Sequence, residues 1–208
     1  MDQFSGLWVV DKSHTTGIDP MLKLQGISWP LRKAVGLATM RLDISIHTDD
    51  RTGTTSLDTV ISLTGGMAGT TEKRGMDWSV QDHKDYFFGT CQHRSCFVYV
   101  SSEGKGDGKV YPEFDMQTDV SDEKVKMFLR GEILDNGEAS AWAIPGTGEK
   151  GSDKVWVHTF VRNLDAGWTA EQIWGFEEID GQLYQTKRIV TANAKGQYAM
   201  GRQVLRKE

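Results

Sequence analysis

His158 stands in an every-second-residue series with Trp156, Phe160 and Arg162. Similar series follow: Gln172, Trp174, Phe176 and Glu178; then Tyr184, Thr186, Arg188 and Val190; then Tyr198, Met200, Arg202 and Val204. A period of two puts each series on one face of a strand. The chemistry such faces could do is acid–base work on a flat hydrophobic molecule. An imidazole takes a proton, a carboxyl returns one, and guanidinium groups stabilise a phenolate or enolate. Aromatic faces stack the ring. Further up the chain, Glu72, Arg74, Met76 and Trp78 form another series, with Lys73 and Asp77 opposite. The catalytic candidates are therefore Glu72, His158, Arg162, Glu178 and Arg188. The ligand-binding candidates are Arg74, Trp78, Trp156, Phe160, Trp174, Phe176, Tyr184 and Arg202. Along 154–163 the alternation predicts that Val155, Val157, Thr159 and Val161 pack against protein, while the His158 face walls a pocket. A one-residue slip turns each set outward, where it becomes ordinary surface. For 70–78 the competing reading is a solvated face with cross-strand ion pairs.

Other chemistry is poorly signalled. His83, Cys91, His93 and Cys96 do not have the spacing of a zinc site, and alternation splits Cys96 from Cys91 and His93. There is no Gly-x-Ser-x-Gly elbow and no glycine-rich phosphate loop. Neither metal nor cofactor is expected. The net charge of −5 argues against a nucleic-acid partner. Two cysteines give no disulfide framework. Met1-Asp2-Gln3 has no basic or apolar leader character, and no apolar run approaches the roughly 20 residues of a membrane span, so a cytoplasmic protein without stable membrane insertion is expected.

The elements that must position these residues are mostly strands. Met40, Leu42, Ile44 and Ile46 alternate with Arg41, Asp43, Ser45 and His47, and turn signals recur at short intervals. Strands are expected at 4–11, 40–48, 54–63, 67–78, 86–100 and 154–163, then as hairpins to the end. Residues 81–85 read as a charged loop, and 111–116 with 124–134 as a further hairpin. Residues 101–109 read as a flexible loop. Residues 135–153 form the longest weakly structured stretch, in which Trp142 serves a binding loop, packs on the barrel exterior, or meets a homodimer partner. Only 18–39 breaks the rhythm. Asp19-Pro20 and Ser28-Trp29-Pro30 are helix starts, Gly26 is a stop, and Leu31, Ala34, Val35 and Ala38 share a helical face. The expectation is a single domain over 1–208: an antiparallel up-and-down β-barrel, mainly β, with a short helix-turn-helix lid.

Phe4-Ser5-Gly6-Leu7-Trp8, then MLKLQGISWPLRKAVGLAT, then strand, resembles the opening of the intracellular fatty-acid-binding proteins, within the calycins. The Leu24-to-Lys33 spacing is its specific part, and it covers residues 4 to about 64. The resemblance implies a helix-turn-helix over a ten-stranded barrel that holds a hydrophobic small molecule. In that family an Arg-x-Tyr on the last strand holds a carboxylate; Arg202 matches, but Val204 replaces the Tyr. The chain also resembles fungal lipocalin-like proteins of polyketide biosynthesis, which implies cyclase activity, such as intramolecular hydroalkoxylation of phenalenone-type prenylated phenols, or a pericyclase. The alternative is a carrier without chemistry, whose lid residues Lys23, Arg32 and Lys33 dock on anionic membrane.

Overall fold

The structure is a computed structural model that describes residues 3–99, 110–143 and 154–208. The expected architecture is present. Ten antiparallel strands form one sheet: β1 Gly6–Val10, β2 Met40–Thr48, β3 Thr55–Leu63, β4 Thr70–Gly75, β5 Gln81–Asp85, β6 Gly89–Tyr99, β7 Lys154–Asn163, β8 Thr169–Ile179, β9 Gln182–Ala192 and β10 Tyr198–Lys207. The order is β4-β3-β2-β1-β10-β9-β8-β7-β6-β5. Its two edges, β4 and β5, are adjacent in the chain, so the sheet curls into a nearly closed barrel. The seam is bridged by Gln81, whose side-chain oxygen accepts from the Gly75 N–H at 2.9 Å. Residues 81–85, read as a loop, are the strand at this seam.

Between β1 and β2 lie α1 Ile18–Leu24 and α2 Trp29–Leu37. Ser28 sits at the start of α2 without a side-chain cap, and Pro30 occupies its first turn. Gly201 of β10 lets α1 settle on the barrel rim. A Cβ there would stand 2.5 Å from the Met21 methyl and 2.9 Å from the Thr16 carbonyl oxygen. The methyl can yield and the carbonyl cannot. Gly201→Val is therefore expected to cost about 1–3 kcal/mol by overpacking, confined to the lid. Hydrogen exchange checks it: amides of 18–38 should exchange faster while those of β7–β9 keep their protection.

The segment 110–143 departs from the sequence reading. Residues 124–134 are not a hairpin strand but contain α3, Glu123–Arg130. Asp122 caps it by accepting from the Lys124 N–H, and Gly131 ends it in the left-handed region. Val125, Phe128 and Leu129 sit at i, i+3 and i+4, and all three are buried. They pack on the outside of the barrel with Trp142, Trp156, Ile173 and Val190. Trp142 thus packs on the barrel exterior. Gly175 makes room for it, since a Cβ there would lie 2.8 Å from its ring and 2.7 Å from that of Trp156.

The barrel consequently has two cores. Phe4, Trp8, Leu42, Ile44, Leu57, Phe97, Val157, Trp174, Phe176 and Leu205 fill the interior at one end. The second core lies between the outer faces of β7–β9 and the insertion. The expected loop 101–109 and most of 135–153 fall outside the described residues.

Candidate functional site

Below α1 and α2 the interior is hollow. The cavity is about 210 Å³. Its apolar wall comes from Met21, Leu22 and Val35 of the lid and from Met40, Leu42, Ile61, Val161, Trp168, Trp174 and Ile189 of the barrel. Its polar groups are Gln25 just after α1, Glu72 and Arg74 on β4, His83 on β5, His93 on β6, Gln172 on β8, Lys187 and Thr191 on β9 and Gln203 on β10.

Arg74 and Lys187 converge on Trp174. Arg74 Nη2 donates to Glu72 Oε2 at 2.5 Å, and its guanidinium lies 5.7 Å from the Trp174 ring centroid. The Lys187 ammonium stands 3.6 Å from the same centroid, close enough for a cation–π contact. Burial pushes Lys187 down to about 7; Glu72 opposes this and Arg74 adds to it. Burial would raise the Glu72 carboxyl, but Arg74 and Lys187 outweigh it and hold the group below its usual range. Burial, reinforced by Arg74, pushes His93 down to about 4, so it is neutral at pH 7. The arrangement presents hydrogen-bond donors and one weakly basic amine beside an aromatic platform in an apolar chamber. It can polarise a carbonyl, hold an oxygen anion or move a proton.

The sequence-derived candidates divide between the two faces of the wall. Glu72, Arg74 and Trp174 line the cavity. Phe176 faces inward too, but it sits in the filled end, 5.1 Å from Phe4. The His158 series, read as the pocket wall, points the other way. Val157 packs in the inner core and Val161 lines the cavity, so Trp156, His158, Phe160 and Arg162 take the outer face. Trp156 joins the second core and Arg162 is exposed. His158 is buried there, between Trp78 at 4.6 Å and Phe114 at 4.8 Å. Its Nε2 is 2.8 Å from Glu171, which also accepts from the Gln117 and Thr118 N–H groups. This pair clasps the insertion to the wall. Trp78 therefore contacts His158 outside the cavity.

On β9 the same reversal holds. Tyr184 and Arg188 are buried on the outer face, and Lys187 takes the inner one. Tyr184 lies 5.5 Å from His14. Arg188 and Arg202 both bind Glu177, at 2.9 Å each. Glu178 is exposed near the end of β8. The reason for the reversal is the insertion. Alternation identifies the inner face only when the outer face is wet, and here the outer face is covered. Sequence reasoning passed over Lys187, His93, His83 and Trp168 as cavity residues. A signal for Lys187 was present: it lies on the same alternating series as Gln185, Ile189 and Thr191.

No protein-family model matches the chain. It is 26% identical over 183 residues to the probable pericyclase scpY of Mollisia scopiformis, covering 88% of this chain and 78% of that protein. It is 26% identical over 183 residues to the pericyclase pydY of Acremonium sp, covering 88% and 80%. Among solved structures, the wild-type fluorescent protein UnaG aligns with a TM-score of 0.52 at 12% identity, covering 100% of this chain and 98% of that one. As-p18, an extracellular fatty acid binding protein, aligns with a TM-score of 0.49 at 13% identity, over 100% and 97%. The likeness to UnaG shows the fold, the calycin-like barrel that the amino-terminal resemblance implied.

Proposed function

We propose that the chain is a cyclase of the pericyclase type, which closes a ring in a hydrophobic, conjugated substrate held inside the barrel. The observation that carries this reading is the convergence of Lys187 and of Arg74, paired with Glu72, on the face of Trp174 within an apolar cavity. The similarity to two proteins named as pericyclases, over 88% of the chain, supports it.

A pericyclic ring closure rearranges bonds within one molecule and neither adds nor removes atoms or electrons. What the protein supplies is a folded substrate conformation, which converts lost entropy into rate. It also supplies donors aimed at a carbonyl whose electron density grows in the transition state. Trp174 and the aliphatic wall hold the conjugated chain; Lys187 and Arg74 are the donors. At about 210 Å³ the cavity is smaller than the roughly 300–1,000 Å³ of drug-sized ligand sites. A substrate of that size therefore requires α1 and α2 to lift.

An acid–base cyclisation, such as addition of a phenol to its own prenyl arm, is the second reading. Lys187 at about 7 favours it, because an amine that is partly neutral near pH 7 can take a phenolic proton. The carrier reading uses the same cavity without chemistry.

The test is incubation with conjugated polyene carbonyl compounds and prenylated phenols, followed by chiral chromatography and mass spectrometry. The expected result is an isomer of unchanged mass and one-sided stereochemistry. Trp174→Ala should abolish the stereochemical bias. Recovery of every bound compound unchanged would favour the carrier.

A further inference from the structure

The polar end of the cavity holds more donors than the protein itself uses. Arg74 is 4% exposed. It gives Nη2 to Glu72, yet Nε and Nη1 meet no acceptor among the described residues. Nε carries one N–H and Nη1 two, so three of the five guanidinium donors are unused. His93, 5% exposed, leaves Nδ1 unpaired as well. Buried polar groups almost always have a partner, in protein, water or ligand, and unpaired ones at a cavity wall mark where a ligand can supply it.

The charges point the same way. Glu72 is the one carboxylate among the described lining residues, and it faces both Arg74 and Lys187. Its charge balances Arg74, to which it is hydrogen-bonded. Lys187 then stands in the same chamber with no anion of its own to hold its ammonium form.

We propose that the cavity binds its substrate as an oxygen anion, a carboxylate or an acidic enolate, accepted by Nε and Nη1 of Arg74 and by Lys187. This rests on the reading that the barrel cavity is the substrate chamber, and it adds the charge state and polar head of the substrate class. Seating an anion beside Lys187 stabilises its ammonium, so binding at pH 8 takes up a proton. Glu72 and Arg74 on β4 act on Lys187 directly, and His83 on β5 and His93 on β6 line the same cavity. His93, at about 4, is neutral at that pH.

Two matched pairs test the proposal by isothermal titration calorimetry at pH 8, in buffers of different ionisation enthalpy. One pair is 2-naphthoate and methyl 2-naphthoate. The other is 5-phenylcyclohexane-1,3-dione, an acidic enol, and its methyl enol ether. The expected result is that at least one anion binds about tenfold or more tighter than its neutral partner, with proton uptake. The stronger pair identifies the source as carboxylate or enolate. R74Q should erase the preference while leaving the neutral compounds within about twofold, and K187M should erase the proton uptake. Where R74Q does not fold, E72Q/R74Q removes both members of the ion pair together. Equal affinity within both pairs, no binding of either anion, or retention of the preference without Arg74 overturns the proposal. An anion preference without any isomer formed in the cyclase assay would sink the cyclase reading and leave this subsite standing. Turnover of uncharged substrates alone would do the reverse.

Discussion

Arg188→Ala is expected to destabilise the protein by about 3–5 kcal/mol, the usual effect of breaking a buried ion pair from one side. For a chain of this size that lowers the melting temperature by roughly 10 °C. Arg188 is fully buried on the outer face of β9. Its Nε donates to Glu177 at 2.9 Å, Nη1 to the carbonyls of Phe128 and Ile133, and Nη2 to Ser140 Oγ at 2.7 Å. The guanidinium also lies 4.9 Å from the Trp142 ring. One side chain thus satisfies the end of α3, the turn beyond it and the irregular segment leading to Trp142. Truncation leaves two carbonyls and a hydroxyl without this donor, the Phe128 carbonyl fully buried and the other two partly so. Arg202 stays on Glu177, which limits the damage to the carboxylate.

Arg188→Lys keeps the charge but lacks the planar fork, and cannot reach four acceptors at once. It should recover less than half of the loss. The insertion should open before the barrel does, so limited proteolysis should cut within 110–143 while β-sheet circular dichroism persists. Denaturant unfolding within ~1 kcal/mol of wild type for both variants would remove this role. In either variant, while folded, ligand affinity should be unchanged, because Arg188 faces away from the cavity.

That last expectation reverses the role the sequence suggested for Arg188, and the reason is physical. The barrel and its lid were readable because they rest on local signals. Proline and glycine punctuate the helix pair, and alternation marks the strands. Glu72, Arg74 and Trp174 were legible as cavity residues because four ionisable groups within residues 70–78 and a Trp in an alternating run are costly features that need a purpose. The phase of β7 and β9 was not legible. Their outer faces carry Trp156, His158 and Arg188 because a second layer covers them, and that layer contains α3. Its opening, Lys124-Val125-Lys126-Met127, alternates like a strand. The Asp122 cap, the Gly131 stop and the i, i+3, i+4 spacing of Val125, Phe128 and Leu129 distinguish it. Misreading α3 removed the layer from view, and with it the reason for two buried faces on one strand. Lys187 was then assigned to the side opposite the pocket. Convergence of Lys187 with residues of β4, more than a hundred positions away, is a property of barrel closure and has no local trace.

Lys187→Met is expected to change both the pH dependence of stability and the rate. Lys187 titrates at about 7 in the folded protein and from a value of 10.5 when unfolded. Between those limits the unfolded chain holds a proton that the folded one lacks, so wild-type stability rises with pH. The single-group slope is at most about 1.4 kcal/mol per pH unit, and it vanishes below 7, where both states are protonated. Lys187→Met removes the group and flattens the curve across this window. Methionine keeps the length of the stem against Trp174 and fills the space, so the variant should be at least as stable as wild type at pH 7. Denaturant melts at pH 7, 8 and 9 measure the difference. A wild-type slope that survives in the variant would mean that the charge is carried elsewhere.

Catalysis gives an independent readout with a sign of its own. If the ammonium donates to a developing oxygen anion, its loss costs about 10²–10³-fold in turnover. The free enzyme's kcat/KM then falls as pH rises above about 7. If Lys187 instead acts as a base toward a phenol, kcat/KM climbs through the same region. Both limbs disappear in the methionine variant. The direction of the wild-type limb therefore separates a pericyclic closure assisted by a donor from an acid–base cyclisation. It does so with one residue, in one chamber, for any substrate whose own ionisation lies outside this pH range.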